Sequence, residues 1–221
     1  MPQTWTSDDT DAIERLAIQY GTSIVYPASS MGAHVSAVPN HQVERTTSLA
    51  IRGDVAMSGN FGYELDLTAF TETEKNLAAR QIAQYKEIRT LVQQGDMYRL
   101  LSPFEGSGET AWMFVSEDKT EAFVAYFRVL AKPNAPISRL TLKGLNPELD
   151  YLLETGAADN TNSHGGTEAA AAAAAQNSAP FQTAFGGTPY GGDRLMRLGL
   201  VVSDLRGDYA SCTYRLRAVQ R

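Results

Sequence analysis

The feature that most constrains the fold is a change of hydrophobic period near residue 95. Before it, apolar residues recur at helical spacing in two segments separated by short strand-like runs. Ile13, Leu16, Ala17 and Tyr20 mark the first, and Ala78, Ile82, Tyr85, Ile88 and Val92 the second. Asp11 with Glu14, and Thr71 with Glu74, stand where N-caps and capping boxes belong, while Gly21 and Gly95 read as stop signals. Ser23 to Tyr26 and Met31 to Ala37 read as buried strand or strand-end segments, Asn60 to Leu67 as an alternating strand, and Thr46 to Met57 as a helix weakened by Gly53. The resulting order, helix and strand in alternation, is the rhythm of a β/α protein with a parallel sheet.

After Gly95 the pattern becomes short strands separated by turns: Met97 to Phe104, Ala111 to Ser116, Glu121 to Lys132, Ser138 to Leu145, Tyr151 to Glu154, Met196 to Ser203 and Tyr209 to Val219. In Glu121 to Lys132, Phe123, Ala125, Phe127 and Val129 alternate with Val124, Tyr126 and Arg128. That pattern predicts an antiparallel β-sandwich. Ala157 to Gly187, with its run of alanines flanked by Gly, Ser and Asn, reads as a mobile loop between strands. The chain thus divides into 1–95 and 96–221, with 157–187 as a loop inside the second part.

Composition removes several classes of function. A net charge of −6 over 221 residues gives no basic face for nucleic acid. No apolar run approaches the roughly 20 residues that span a bilayer, and the N-terminus has no signal pattern. A single cysteine, Cys212, fits a reducing compartment, so the expected location is the cytoplasm.

Chemistry is concentrated in the opening stretch, where Asp8, Asp9 and Asp11 follow Trp5. Asp11 has a structural task as a helix cap, whereas Asp8 and Asp9 lie outside the helix on the preceding turn. From the residues alone, either one is a candidate acid or base. Trp5 is either a ring that stacks on a ligand or a buried tryptophan. His34 and His41 suggest a metal, but no Asp, Glu or Cys is arranged around them, so polar core or loop roles are expected. Glu64 and Asp66 share one strand face and are expected to hydrogen bond at its rim. Trp112 and Cys212 read as core.

Several segments together, PQTWTSDDTDAIERLAIQYGTSIVYP, GAHVSAVPNHQ at 32–42, RTT at 45–47, GYELDLT at 62–68 and YRLLSPFE at 98–105, resemble the retaining α-galactosidases of glycoside hydrolase family 36. The resemblance implies the last strands and helices of a (β/α)8 barrel in 1–95, followed by a C-terminal antiparallel β-sandwich in 96–221. It implies that Asp8 is the proton donor and general base, with Asp9 and Trp5 near the sugar. It also implies α-galactosides of the melibiose and raffinose type as substrates, no cofactor or metal, and a homo-oligomer for the complete enzyme. The family's nucleophile belongs to a Lys-Trp-Asp segment, and its Cys-Ser-Gly-Gly stretch lines the sugar site; neither occurs here. Met1 is therefore expected to be an internal methionine of a longer enzyme, and the chain half of a catalytic pair. The alternatives are a non-catalytic remnant whose β-domain serves assembly or carbohydrate contact, and a related transferase or N-acetylgalactosaminidase. Three-eighths of a barrel cannot close its sheet, so residues 1–95 alone are expected to turn the apolar face of the 71–94 helix to water and to be insoluble or molten, whereas roughly 96–221 are expected to fold as a sandwich.

Overall fold

The structure, a computed structural model, describes residues 3–156, 179–202 and 205–219. Its first part alternates strands and helices: β1 (Thr4–Trp5), α1 (Ala12–Thr22), β2 (Met31–Ser36), α2 (Leu49–Ala56), β3 (Asn60–Glu64) and α3 (Glu72–Gln94). The strands form a parallel sheet in the order β1-β2-β3. Trp5 pairs with Gly32, and Gly32 to Ser36 run against Asn60 to Glu64. Side chains alternate between faces along a strand. Met31, Ala33 and Val35 therefore share a face, and they are buried with Ile51, Val55, Leu49, Ala56 and Leu77 of the helices. Gly32, His34 and Ser36 point the other way, on the face that register shares with Trp5, Gly62 and Glu64. One face of this sheet is packed and apolar, and the other is polar.

The helices largely follow their sequence signals. Thr71 and Glu74 form the complete capping box at the start of α3, and the Gly95 N–H closes its end on the Leu91 carbonyl at 2.8 Å. Its buried stripe is Leu77, Ala78, Gln81, Gln84, Tyr85, Ile88, Leu91 and Val92, whereas Ile82, expected on that stripe, is exposed. In α2, Ser48 caps the helix, and every residue from Leu49 to Ala56 is buried. Asp11 caps α1 by accepting the Glu14 N–H at 3.0 Å. The box is not completed: the Asp11 N–H donates to Asp9 Oδ1 at 2.9 Å, and the Glu14 carboxylate sits 3.6 Å from Arg45. Gly21 does not stop α1, which runs on to Thr22. Ser23 to Tyr26, expected to be a buried strand or strand end, is a turn on which Ile24, Val25 and Tyr26 are exposed.

The second part contains β4 (Asp96–Leu101), β5 (Glu109–Val115), β6 (Glu121–Arg128), β7 (Arg139–Leu140), β8 (Asp150–Gly156), β9 (Phe181–Thr183), β10 (Tyr190–Gly191), α4 (Gly192–Arg197), β11 (Leu200–Val201) and β12 (Ala210–Val219). An antiparallel seven-stranded sheet runs β10-β8-β12-β6-β5-β4, with β9 also on β8, and β11 pairs with β7 separately. Of the expected loop, 157–178 lies outside the described residues, and Phe181–Thr183 is a strand rather than loop. Within Met196 to Ser203, expected as one strand, Met196 and Arg197 complete a helix, and among the described residues only Leu200–Val201 is a strand.

Both faces of the large sheet are covered. Trp112, Phe114, Phe123, Ala125 and Phe127 pack on Ile51, Val55, Tyr85, Ile88, Leu91 and Val92 of α2 and α3. Met113, Val115, Val124, Tyr126, Tyr214 and Leu216 pack on the other side with Leu140, Leu195 and Leu200, from β7, α4 and β11. Strands buried on both faces read as continuous apolar runs, which is why AWMFV and AFVAYF contain no polar residue. The expected sandwich is thus one large sheet whose second layer is helical on one side and a small β7–β11 ladder with α4 on the other. In the whole chain the apolar stripe of α3 is buried against β5 and β6, strands that the 1–95 segment lacks.

Polar bonds add to that packing. Trp112 Nε1 donates to Ser58 Oγ, Ser211 Oγ donates to Asp54 Oδ2 at 2.7 Å, and Arg215 of β12 pairs with Glu87 of α3 and with Glu121 of β6. Among the described residues no helix is long and apolar enough to cross a membrane.

Candidate functional site

Because β1, β2 and β3 are parallel, the loops that leave their C-terminal ends lie along one edge of the sheet. Catalytic groups in β/α proteins collect at that edge, where loop side chains can vary without disturbing the packed face. Thr6 to Asp11 leave β1, and the segment from Ala37 leaves β2. Thr6 Oγ1 donates to the Gly32 carbonyl at 2.7 Å, and Asn40 Nδ2 donates to Thr10 Oγ1 at 2.7 Å, so the two loops brace each other. Asn40 is buried, and its Oδ1 accepts the N–H groups of Gln42 and Val43, holding its own loop closed.

The three aspartates of the opening stretch are sorted by their partners. Asp11 is buried as the cap of α1 and is also paired with Arg45. Asp9 is half-buried and accepts the Asp11 N–H. Asp8 is exposed, and its carboxylate has no hydrogen bond or ion pair among the described residues. Of the three it is the one without a partner. Trp5, three residues before it, is 54% exposed.

Two buried arginines underlie this edge, and the sequence reading did not single them out. Arg15 of α1 donates to the carbonyls of His34 and Thr10, and Arg52 of α2 donates to those of Ser36, at 2.6 Å, and Ser48. Burial pushes the Arg15 guanidinium down to about 10, against the pull of Asp11, Asp9 and Glu64, and it also lowers Arg52. Both remain cations at neutral pH, fixing the C-terminal half of β2 from behind. The available signal was spacing, since Arg15 shares the inner stripe of α1 with Ala12, Leu16 and Gln19.

The remaining candidates separate. His34 Nδ1 lies 2.7 Å from Ser7 Oγ and 3.9 Å from Glu64, and its ring stacks on Trp5 with centroids 5.3 Å apart. His41 meets Thr10 Oγ1 at 3.3 Å. Glu64 and Asp66 do not act as a pair: Asp66 caps the short turn Leu67–Ala69 by accepting from Thr68. Trp112 and Cys212 are core, and burial pushes the Cys212 thiol up to about 12. Among the described residues no cluster of three His, Cys, Asp or Glu is placed to hold a metal ion.

A free carboxylate and an exposed tryptophan at the strand ends of a parallel sheet suit work on a sugar. Comparison with known proteins gives the same class, the glycoside hydrolases. Residues 1–95 match the family model described as Melibiase, and residues 109–216 match the glycosyl hydrolase family 36 C-terminal domain. Alpha-galactosidase AgaA of Geobacillus stearothermophilus is 55% identical over 221 residues, which cover 100% of this chain and 26% of the relative. Two crystal structures of variants of that enzyme superpose. One, in complex with raffinose, has a TM-score of 0.81 at 53% identity, covering 99% of this chain and 26% of that one. The other, in complex with stachyose, has a TM-score of 0.82 at 55% identity with the same coverage. The chain belongs to glycoside hydrolase family 36, and it spans about a quarter of the length of the relatives it matches.

Proposed function

We propose that this chain is the part of a retaining α-galactosidase that carries the acid/base carboxylate, Asp8. In this reading residues 1–95 are the closing strands and helices of a (β/α)8 barrel, and 96–221 are the C-terminal antiparallel domain. The observation that carries it is the partnerless Asp8 just after β1, ahead of two engaged aspartates and three residues beyond exposed Trp5. Retention needs two carboxyl groups about 5–5.5 Å apart. One attacks the anomeric carbon, while the other protonates the departing oxygen and then takes a proton from the incoming water. Asp8 supplies the second role. The chain contains no Lys-Trp-Asp segment, so the attacking carboxylate is supplied from outside these 221 residues. The substrates are terminal α-galactosides; relatives bind raffinose and stachyose, and Trp5 is the ring on which such a sugar would stack. Asp9 shapes the turn through Asp11 rather than meeting the reaction itself.

The test is a chimera in which this chain replaces the matching quarter of AgaA. It is expected to hydrolyse raffinose, and Asp8→Asn is expected to reduce that rate by about 10²–10⁴-fold, the usual contribution of a general acid/base. Asp9→Asn is expected to cost much less. Equal losses at both positions, or an inactive but folded chimera, would refute the assignment.

A further inference from the structure

We infer that His34 is a positioning residue for Asp8: it tethers the turn that carries the carboxylate, and glycine at position 62 gives its ring the room to do so. This rests on the reading of Asp8 as the acid/base. Asp8 itself bonds to nothing among the described residues, so its aim depends on its neighbours. On one side Asp9 holds the Asp11 N–H. On the other, Ser7 is buried, and its hydroxyl shares a 2.7 Å hydrogen bond with His34 Nδ1. Asp8 thus sits between two tethers with its carboxylate free.

His34 is held on every side the structure describes. Its carbonyl accepts from buried Arg15, and its ring stacks on Trp5 at an interplanar angle of 30°. The ring leans over β3 at Gly62, its register partner, where an added Cβ would come within 2.8 Å of His34 Cδ2. Trp5 leans in the same way over Gly32, where a Cβ would lie 3.5 Å from its ring and 2.5 Å from Gln3. Two rings therefore lie along the polar face of the sheet, each above a glycine of the next strand. Neither glycine has a positive φ, so close approach, not backbone conformation, sets the requirement. Burial lowers the His34 pKa, more than Glu64 raises it. The ring is therefore neutral near pH 7 and keeps a nitrogen able to bond the Ser7 hydroxyl without ionising.

The test uses the full 221-residue chain, isotopically labelled, and reads backbone order at residues 6–10 by ¹⁵N relaxation. The wild-type turn is expected near the rigid-backbone order parameter of about 0.85, falling below about 0.6 in His34→Leu and in Gly62→Val. His34→Asn, whose amide reaches the position of Nδ1, is expected to restore most of the order. Ser7→Ala removes the same bond from the other end and serves if a His34 variant fails to fold; added to His34→Leu it should loosen the turn no further. A turn that stays ordered in Ser7→Ala and His34→Leu, or that is as loose in His34→Asn as in His34→Leu, would overturn the inference. These readouts need no turnover, so a failure of the Asp8 assignment in the chimera is a separate result.

Discussion

Asp54 shows how much a single buried carboxyl can set. It lies on α2 against β12, where Ser211 Oγ donates to it, and burial raises its pKa from near 3.8 to about 7. The folded chain therefore holds a proton that the unfolded chain gives up at lower pH. Its contribution to stability is complete below pH 3.8, declines as pH rises toward 7, and is gone above that. Asp54→Asn mimics the protonated acid and keeps a partner for Ser211. It is expected to leave Tm nearly unchanged at pH 4 and to raise it at pH 8, so that a thermal melt series loses its decline across that range; parallel profiles would show that Asp54 is not the group. A second residue-scale prediction concerns Ser58. Ser58→Ala leaves Trp112 Nε1 buried without an acceptor and is expected to cost about 1–3 kcal/mol in denaturant unfolding. The same residue-level chemistry decided what was legible at the site. The capping role of Asp11 is written in its position before an apolar stripe. The division of labour between Asp8 and Asp9 is not, because it depends on the Asp11 N–H turning back to Asp9, a property of the folded turn. The His34–Ser7 bond was hidden for a similar reason, since it joins residues 27 positions apart across a strand pair.

Elements are set by their caps and by how closely they approach one another. Gly53 looks like a weak point in α2, yet it is where α3 crosses: a Cβ there would fall 2.1 Å from Gln81 Nε2, whose bond to the Leu49 carbonyl ties the two helices. Gly53→Ala gains helix propensity but must displace that amide, and overpacking of this kind costs about 1–3 kcal/mol. The expected outcome is a net loss of stability, and a gain would show that Gln81 moves freely. The caps and period of α3 were legible because its sequence signals and its packing agree. Ser23 to Tyr26 was not: an apolar run states only that burial is favourable, and here nothing among the described residues covers Ile24, Val25 or Tyr26. Met196 to Ser203 misled for the opposite reason. Met196, Leu198, Leu200 and Val202 alternate like a strand, but the chain is helical through Arg197 and turns at Gly199 with φ of 78° before extending. In β5 and β6, continuous apolar runs signalled strands covered on both faces, and what covers them is set by topology rather than by any local pattern.

At the scale of the whole molecule, the two halves share one core. Trp112, Phe114, Phe123 and Phe127 are buried beneath α2 and α3, so residues 96–221 alone would expose four large rings, each worth about 1.5–3 kcal/mol of burial. That fragment, expected from sequence to fold by itself, is now expected to aggregate or to melt without a sharp transition, while the full chain unfolds cooperatively. A cooperative melt of soluble monomeric 96–221 would contradict this. The central claim is chemical, and one product tests it. In the AgaA chimera carrying Asp8→Ala, an aryl α-galactoside with a good leaving group needs little protonation, so the glycosyl-enzyme still forms. Azide then attacks the β-linked intermediate from the opposite face, without help from a base. The account predicts faster turnover with azide and α-galactosyl azide as the product; β-galactosyl azide would make Asp8 the nucleophile, and no azide product at all would remove it from the reaction.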